Sequence, residues 1–174
     1  MKVAARGDDA GYPLKLELAV ELVRGSINAR FWGTGDDRRR LATRGRCDVV
    51  DITRDVAGIV AASGIETGIV NISGVGSTLG ITTLEFEPGC VADLKRALDQ
   101  IAPPNPHYAH NARWGDQNGY AHLRSALVGT ARSYPVASGK IAIGTWQQIV
   151  LCDFDDRPRQ REVVVTVVGE QSRR

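Results

Sequence analysis

The chain has 174 residues, of which 43% are hydrophobic and 24% charged, a composition that fits one globular domain and argues against wholesale disorder. Its formal net charge of +2, with no aromatic-rich basic stretch, argues against a nucleic-acid partner. No apolar run reaches the ~20 residues of a membrane span, and the three cysteines are far apart in the sequence, so we expect a cytoplasmic protein that is not membrane-bound.

Residues 1–40 are patterned differently from the rest of the chain. Their apolar stretch, LKLELAVELV, alternates like a strand, although its composition favours a helix. The arginine-rich run that follows favours a solvated linker or a strand leading into the domain over a phosphate-binding patch. We predict an N-terminal extension over residues 1–40, one domain over residues 41–170 and a tail over residues 171–174.

The first regular elements begin near Leu41. RCDVVDIT predicts a strand that ends near Thr53, and Thr53 is a suitable N-cap for a helix over residues 54–63. Gly64 supplies the left-handed residue that ends this helix. GIVNIS and ITTLEFE, rich in β-branched residues, predict two strands after it.

The second half of the chain begins with a helix opened by Pro88. Its apolar residues recur at helical spacing and predict one buried face: Val91, Leu94, Leu98 and Ile101. The polar segment HYAHNARWGDQNG then predicts a functional loop, and YAHLRSALVG a short helix.

The last third of the chain predicts strands in ARSYPVA, GKIAIGTWQQIVLCDF and REVVVTVVGE. Adjacent strands of this kind favour antiparallel hairpins. The element order predicts an α+β fold of mostly antiparallel sheets stacked with about three helices, and it excludes a TIM barrel.

All three histidines, His107, His110 and His122, lie within sixteen residues, and Asp116 lies among them. His110 and Asp116 are predicted on the loop, and His122 near the start of a helix. If the chain folds back, imidazoles and a carboxylate can surround a divalent ion such as zinc. The same groups can instead transfer protons near neutral pH, or they can be ordinary solvated loop residues.

Two further segments carry polar groups that suit a binding site. Gly76, Ser77 and Thr78 precede a strand, where backbone amides can hold an anion such as phosphate, although a plain turn uses the same residues. At the other end of that strand Glu85 is either a catalytic acid or a solvated charge. Trp146 interrupts an apolar strand, which indicates either a pocket or a subunit contact.

From about Thr43 to Glu170 the sequence resembles the YjbQ-type family, whose members are often described as secondary thiamine-phosphate synthases. The resemblance rests on long motifs in the same order, among them SGIETGIVNI, GSTLGITTLEFEPG, YAHNARWGDQNGYAHLRSALVG and GTWQQIVLCDFD. It implies a compact α+β fold, a homotrimer, and a pocket near the subunit boundary that binds an anion or a divalent metal such as Zn or Mg.

The resemblance also assigns residues to that pocket. It implies catalytic roles for His110, His122, Asp116 and Glu85, with the two histidines as candidate metal ligands. The substrate-binding residues that it implies are Asn118, Trp146 and Gln147, and the local pattern adds Gly76, Ser77 and Thr78 as candidate anion-binding residues. Many members have a histidine and two threonines in place of Gly76, Ser77 and Thr78, and some have a histidine in place of Tyr120, so this chain has fewer candidate metal ligands.

Three functions follow from the resemblance and from the residues. The first is a transferase that joins a hydroxymethylpyrimidine diphosphate to a thiazole phosphate, as a main or a side activity. The second is a metal-assisted hydrolase of a small phosphorylated metabolite, and the third is a non-catalytic trimer that binds a metal or a ligand.

Overall fold

The computed structural model describes residues 19–21, 26–28, 38–104 and 107–171. These residues form ten strands and four helices: β1 (Ala19–Glu21), β2 (Ser26–Asn28), β3 (Arg38–Thr43), β4 (Asp48–Asp51), α1 (Thr53–Ser63), β5 (Ile65–Val75), β6 (Leu79–Leu84), α2 (Pro88–Ile101), α3 (Ala109–Trp114), α4 (Gly119–Val128), β7 (Ala131–Ala137), β8 (Lys140–Ile141), β9 (Gln148–Asp153) and β10 (Arg159–Gln171). The predicted α+β class is confirmed.

Two antiparallel sheets make up the core of the domain. One has five strands in the order β3-β10-β5-β7-β8, and the other has three in the order β4-β9-β6. Their facing side chains form one apolar cluster, which includes Val70, Ile72, Ile81, Leu151 and Val165. The two sheets are therefore stacked, as the sequence predicted.

The middle strand β9 is buried on both faces. Ile149 and Leu151 belong to the cluster between the sheets, whereas Val150 and Cys152 join a second cluster with residues of α2 and α4, such as Leu98 and Ala121. Alternate residues of a strand point to opposite faces. The three-stranded sheet therefore lies between the five-stranded sheet and a layer that contains α2 and α4.

The strand pairing differs from the predicted series of hairpins. β7 and β8 do form a hairpin, but the segment GKIAIGTWQQIVLCDF is divided between β8 and β9, which belong to different sheets. β9 pairs with β4 and β6, and β10 pairs with β3 and β5. Long-range pairing of this kind leaves no local sequence signal, because it depends on which apolar faces meet.

Four details of the helices correct the sequence analysis. The N-cap of α1 is Ile52 and not Thr53, whose hydroxyl instead donates to the Asp51 carboxylate at 2.6 Å. Ile101, predicted on the buried face of α2, is 64% exposed. His110 lies on α3, not on a loop. The described residues also contain four helices where about three were predicted. By contrast, Gly64 ends α1 with a φ of 69°, as expected.

The predicted extension over residues 1–40 lies largely outside the described residues. Within the stretch LKLELAVELV, the structure describes only Ala19–Glu21, which pairs as β1 with β2. The arginine-rich run enters β3, an edge strand paired with β10. No described helix is both long and apolar enough to span a membrane.

Candidate functional site

The polar segment that follows α2 forms two short helices, α3 and α4, instead of one long loop. α3 ends at Gly115, which has a φ of 71°, and the Gly115 amide donates to the Asn111 carbonyl at 2.8 Å. The next residues, including Asp116, form the connection to α4, which begins at Gly119. The glycine at the C-terminus of α3 therefore turns the chain back within a few residues.

A close contact at Gly119 holds the two helices together. The Gly119 amide donates to Asn111 Oδ1 at 2.8 Å in a buried position. A Cβ at residue 119 would lie 2.7 Å from Asn111 Oδ1 and 2.7 Å from the Tyr108 Cβ. Only glycine leaves room for this approach, and the approach places His110 of α3 beside His122 of α4.

His110 and Asp116 form a hydrogen-bonded pair. Nδ1 of His110 lies 3.1 Å from Asp116 Oδ1, and the two side chains are 31% and 40% exposed. An ionised carboxylate can only accept a hydrogen bond, so the imidazole proton lies on Nδ1. Nε2 of His110 is then the ring nitrogen with an available lone pair, for a proton or a metal.

His122 lies against the same ring. The centroids of the His110 and His122 imidazoles are 4.5 Å apart, and the ring planes are tilted by 35°. The structure therefore brings together three of the predicted site residues, His110, Asp116 and His122. They lie in a partly open position on α3 and α4.

Asn118 adds a polar group at the same connection. It precedes α4, and its backbone carbonyl accepts from the Ala121 amide at 2.8 Å. Its side-chain Oδ1 is buried and accepts no hydrogen bond from the described protein groups. A buried acceptor of this kind needs a donor, which a ligand or a water molecule can supply.

The side chains of one chain do not complete a metal site within its described residues. No group of three His, Cys, Asp or Glu side chains there is arranged to hold a metal ion. His110 and His122 offer two imidazoles, and Asp116 is hydrogen-bonded to one of them. Zinc sites in proteins have at least three protein ligands, so we derive no chemical step through a metal.

Glu85 follows the last residue of β6, beside the segment that carries Trp146 and Gln147. The Gln147 side chain donates to Thr83 Oγ1 at 3.2 Å, which ties the segment before β9 to the end of β6. Trp146 is 72% exposed, and Glu85 is exposed as well. Among the described residues, no hydrogen bond or ion pair joins Glu85 to either histidine.

Gly76, Ser77 and Thr78 lie at the opposite end of β6. The seven residue-to-residue steps from Thr78 to Glu85 span roughly 20 Å in an extended strand. Gly76 and Ser77 are exposed, whereas Thr78 is buried and its hydroxyl donates to Asp155 Oδ2 at 2.8 Å. One chain therefore does not gather the predicted anion-binding turn and Glu85 at one point.

The Thr78 hydroxyl belongs to a buried ionic network that the sequence analysis did not identify. Arg161 makes a two-point contact with Asp153, with Nη2 2.5 Å from Oδ1 and Nε 2.9 Å from Oδ2. The Thr43 hydroxyl donates to Asp153, and Arg159 donates to Asp155 at 3.1 Å. The sequence did contain a signal for this network. DFD holds two acidic residues and RQR two basic residues, and in each motif the two charged residues are spaced so that they lie on the same face of a strand.

The network favours the ionised form of the Asp155 carboxylate. Burial alone would raise the pKa of Asp155, but hydrogen bonds from Arg159, Asp156 and Thr78 and the charge of Arg159 lower it to about 2. The neighbouring Asp156 has a raised pKa, mainly because of its hydrogen bond with Asp155. These groups connect β3, β6, β9 and β10, and so join the two sheets.

Comparisons of the sequence and of the structure with known proteins find relatives in the same family. A family model described as "UPF0047 protein YjbQ-like" matches residues 37–170. A UPF0047 protein of Methanothermobacter thermautotrophicus is 37% identical over 130 residues, covering 75% of this chain and 89% of that protein. The UPF0047 protein YugU of Bacillus subtilis is 33% identical, and the match covers 75% of this chain and 96% of YugU.

Solved structures show the same likeness. A YbjQ-like protein of unknown function from Sulfolobus solfataricus superimposes with a TM-score of 0.73 at 35% identity, covering 77% of this chain and 96% of that one. A hypothetical protein from Aeropyrum pernix gives a TM-score of 0.69 at 27% identity, with 76% and 98% coverage.

Proposed function

The chain belongs to the UPF0047 family of YjbQ-like proteins, and on this premise we propose that it is an enzyme in which His110 transfers a proton to or from a small phosphorylated metabolite. The observation that carries the proposal is the contact of 3.1 Å between His110 Nδ1 and Asp116 Oδ1 beside a second imidazole. A histidine oriented by a carboxylate is the usual arrangement of a general base or acid.

Each residue of the site has a role that follows from its contacts. Asp116 fixes the tautomer of His110, so that Nε2 is the nitrogen that takes up or releases a proton, and it stabilises the imidazolium that forms. His122 packs on the His110 ring and limits its rotation. Asn118 Oδ1, a buried acceptor, suits a hydroxyl or amino donor of the substrate.

The specific reaction that we propose to assay first is the joining of a hydroxymethylpyrimidine diphosphate to a thiazole phosphate. In that reaction the thiazole nitrogen forms a bond to the methylene carbon, and the carbon–oxygen bond to the diphosphate breaks. His110, when protonated, would donate its Nε2 proton to the departing diphosphate. The support for this substrate pair is the sequence resemblance alone.

Hydrolysis of a small phosphate ester is the alternative that the same geometry allows. His110 Nε2 would take a proton from water as the water oxygen bonds to phosphorus and the ester phosphorus–oxygen bond breaks, and the same proton would then pass to the leaving oxygen to form the alcohol. Product that forms only when both thiamine precursors are present favours the transferase. Phosphate release from simple esters, without either precursor, favours the hydrolase.

The proposal is tested by turnover of the full chain with alanine at His110. We expect a loss of about 100-fold or more in kcat, the usual contribution of a positioned proton-transfer group. Asp116→Asn should give a smaller loss, because Asp116 acts through His110. The control is His107→Ala, which removes an exposed imidazole and should leave kcat unchanged.

Two readouts separate catalysis from structure. The nitrogen chemical shifts of His110 should report a proton on Nδ1 in the wild type and a mixture of tautomers in Asp116→Asn. If His110→Ala retains full turnover while its fold is intact, the proton-transfer proposal is wrong. If His122→Ala leaves turnover unchanged but weakens subunit association, the non-catalytic binding function is favoured instead.

We also propose that the protein is a cytoplasmic homotrimer. Its cysteines are all free thiols, which fits a reducing compartment. The described part of α3 and α4 exposes three large apolar side chains beside the histidines, which fits a subunit contact: Trp114, Leu123 and Leu127. Light scattering should give three times the monomer mass, and Leu127→Glu should lower it; a monomeric wild type would contradict the proposal.

We also propose that the histidine site can bind a divalent metal. This requires a third ligand, which must come from outside the described residues of one chain. The test is the metal content of protein purified without chelator, compared with His110→Ala and His122→Ala. Stoichiometric zinc in the wild type and its loss in both variants would favour metal binding over proton transfer by His110, because a metal on Nε2 occupies the lone pair that takes up the proton. Equal metal content in all three proteins would contradict a role for these histidines as ligands.

A further inference from the structure

The structure contains a second polar cavity, on the other side of α4 from the histidines. It has a volume of about 400 Å³ and lies between α2, α4 and the turn that precedes β4. Six side chains that line it carry polar or ionisable groups: Arg46, Cys47, Lys95, Asp99, Tyr120 and Arg124. A volume of this size is in the range of small-molecule sites.

The geometry of α4 separates this cavity from the histidine site. Tyr120 and Arg124 are four residues apart and share one helix face, whereas His122 lies two residues from each and points away from that face. Tyr120 and Arg124 are 5% and 2% exposed, and the Arg124 guanidinium lies 5.0 Å from the Tyr120 ring centroid. The two sites are back to back on one helix.

The cavity has an excess of positive charge. Arg124 is neutralised locally, because its Nη2 lies 2.6 Å from Asp99 Oδ1 and 2.6 Å from the Ala102 carbonyl oxygen. Three cations and one carboxylate line the cavity, so the net charge of its lining side chains is +2. The two cations left are Arg46 and Lys95, neither of which forms an ion pair with a described residue. Arg46 Nε donates to the Asp156 carbonyl at 3.4 Å, and the nearby charges of Asp155 and Asp156, which act on the Tyr120 hydroxyl, reduce this excess without pairing with either cation.

The turn that carries Arg46 has a strained backbone. Gly45, Arg46 and Cys47 have φ values of 73°, 53° and 59° in succession, a conformation that residues with side chains rarely adopt. The turn is fixed by the Arg46 amide, which donates to the Asp155 carbonyl at 2.6 Å. Strain of this kind is typical of residues held in place for binding.

The neutral groups of the cavity can donate to an anion. Burial raises the pKa of the Tyr120 hydroxyl and of the Cys47 thiol, so both groups stay protonated near neutral pH. Of the two, the phenol is the stronger hydrogen-bond donor. The cavity thus combines two unpaired cations with a hydroxyl donor, which are the groups that bind phosphate.

We propose that this cavity is a binding site for a small phosphate-bearing anion, held by Arg46 and Lys95 with the Tyr120 hydroxyl. The site is separate from the proton-transfer site at His110, so it stands or fails independently of the proposed reaction. An anion of this kind would be a second ligand, and α4 would connect it to the histidine site.

The test is calorimetric titration of the full chain with pyrophosphate at low ionic strength. We expect saturable binding that Lys95→Gln and Arg46→Gln each weaken about tenfold or more, the effect of losing one charge-assisted hydrogen bond. The matched control is Arg96→Gln, which removes the same charge one residue further along α2, where Arg96 is exposed and paired with Asp93. It should change Kd less than about twofold.

Three outcomes would overturn the proposal. They are no binding by the wild type at millimolar pyrophosphate, an equal loss in Arg96→Gln and Lys95→Gln, and loss of binding in His110→Ala with Lys95→Gln unaffected. The second would indicate general charge attraction, and the third would place the anion at the histidines. Retained binding in His110→Ala together with a loss in Lys95→Gln supports the cavity.

Discussion

Two polar regions of this protein differ in how completely their hydrogen-bonding atoms are used. In the region around Arg161 and Asp153, these two side chains, Asp155 and the threonine hydroxyls contact one another and are at most about a tenth exposed. At the margin of this region Arg159 is 33% exposed, and its Nε lies 3.0 Å from Asp155 Oδ2 without a well-directed hydrogen bond. In the region around His110 and His122, the side chains are partly open to solvent and Asn118 Oδ1 has no partner among the described protein groups.

This difference separates a structural role from a functional one. A buried charged network is tolerated only when every member is satisfied, because an unpaired buried charge costs several kcal/mol. A site that binds or transforms a ligand must instead keep some of its polar atoms available. The histidine region keeps Nε2 of His110 available, whereas the Arg161 region uses its atoms to hold two sheets together.

The largest effect should come from breaking the buried network. Asp153→Ala removes the two-point carboxylate partner of the buried Arg161 and leaves only its 3.4 Å contact with Asp155, so we expect a loss of about 3 kcal/mol in the free energy of unfolding. Urea denaturation measures this change. Asp93→Ala, which removes the exposed carboxylate paired with Arg96, should leave the midpoint unchanged. Similar midpoints for the two variants would contradict the structural role of the network.

A smaller effect should follow from separating the two histidine-bearing helices. Gly119→Ala places a methyl group 2.7 Å from Asn111 Oδ1 and from the Tyr108 Cβ, so we expect a loss of about 1–3 kcal/mol from overpacking. Turnover should fall as well, since His110 moves away from His122. Gly58→Ala in α1 meets no atom within 4 Å and should stabilise the protein by up to about 1 kcal/mol.

Acid should weaken the buried network by a still smaller amount. The pKa of Asp155 is lowered in the folded protein, from 3.8 to about 2. Its contribution is therefore complete above pH 4 and is lost as the pH falls towards 2, on the order of 1 kcal/mol at pH 3. Asp156, with its raised pKa, offsets part of this loss. Asp155→Asn should show a flatter dependence of unfolding free energy on pH between 4 and 2.

The smallest effect on stability is expected at the histidine site. Asp116→Asn weakens a partly exposed hydrogen bond to His110, and exposed polar pairs of this kind contribute about 0–1 kcal/mol. Thermal unfolding should therefore be nearly unchanged even where turnover falls. A large loss of stability in Asp116→Asn would mean that the histidine region is structural, like the Arg161 region, and would remove the contrast between them.

Much of the secondary structure followed from local patterns. α2 begins at Pro88 as predicted, because proline suits a first helical turn, and α1 ends at Gly64. The short helix α3 was missed because its six residues, AHNARW, are too few to show an apolar period. Ile101 was predicted to be buried but is exposed. Helical spacing shows which residues share a face, but it does not show how much of that face is covered by other elements.

The sequence by itself determined the α+β class, the family, and the proximity in sequence of His110, Asp116 and His122. Only the tertiary structure decided that the imidazoles of His110 and His122 pack against each other, and that Arg46, Lys95 and Arg124 line one cavity. The reason is that periodicity and turn residues act over a few neighbours, whereas sheet order and cavities arise from contacts between residues far apart in the chain.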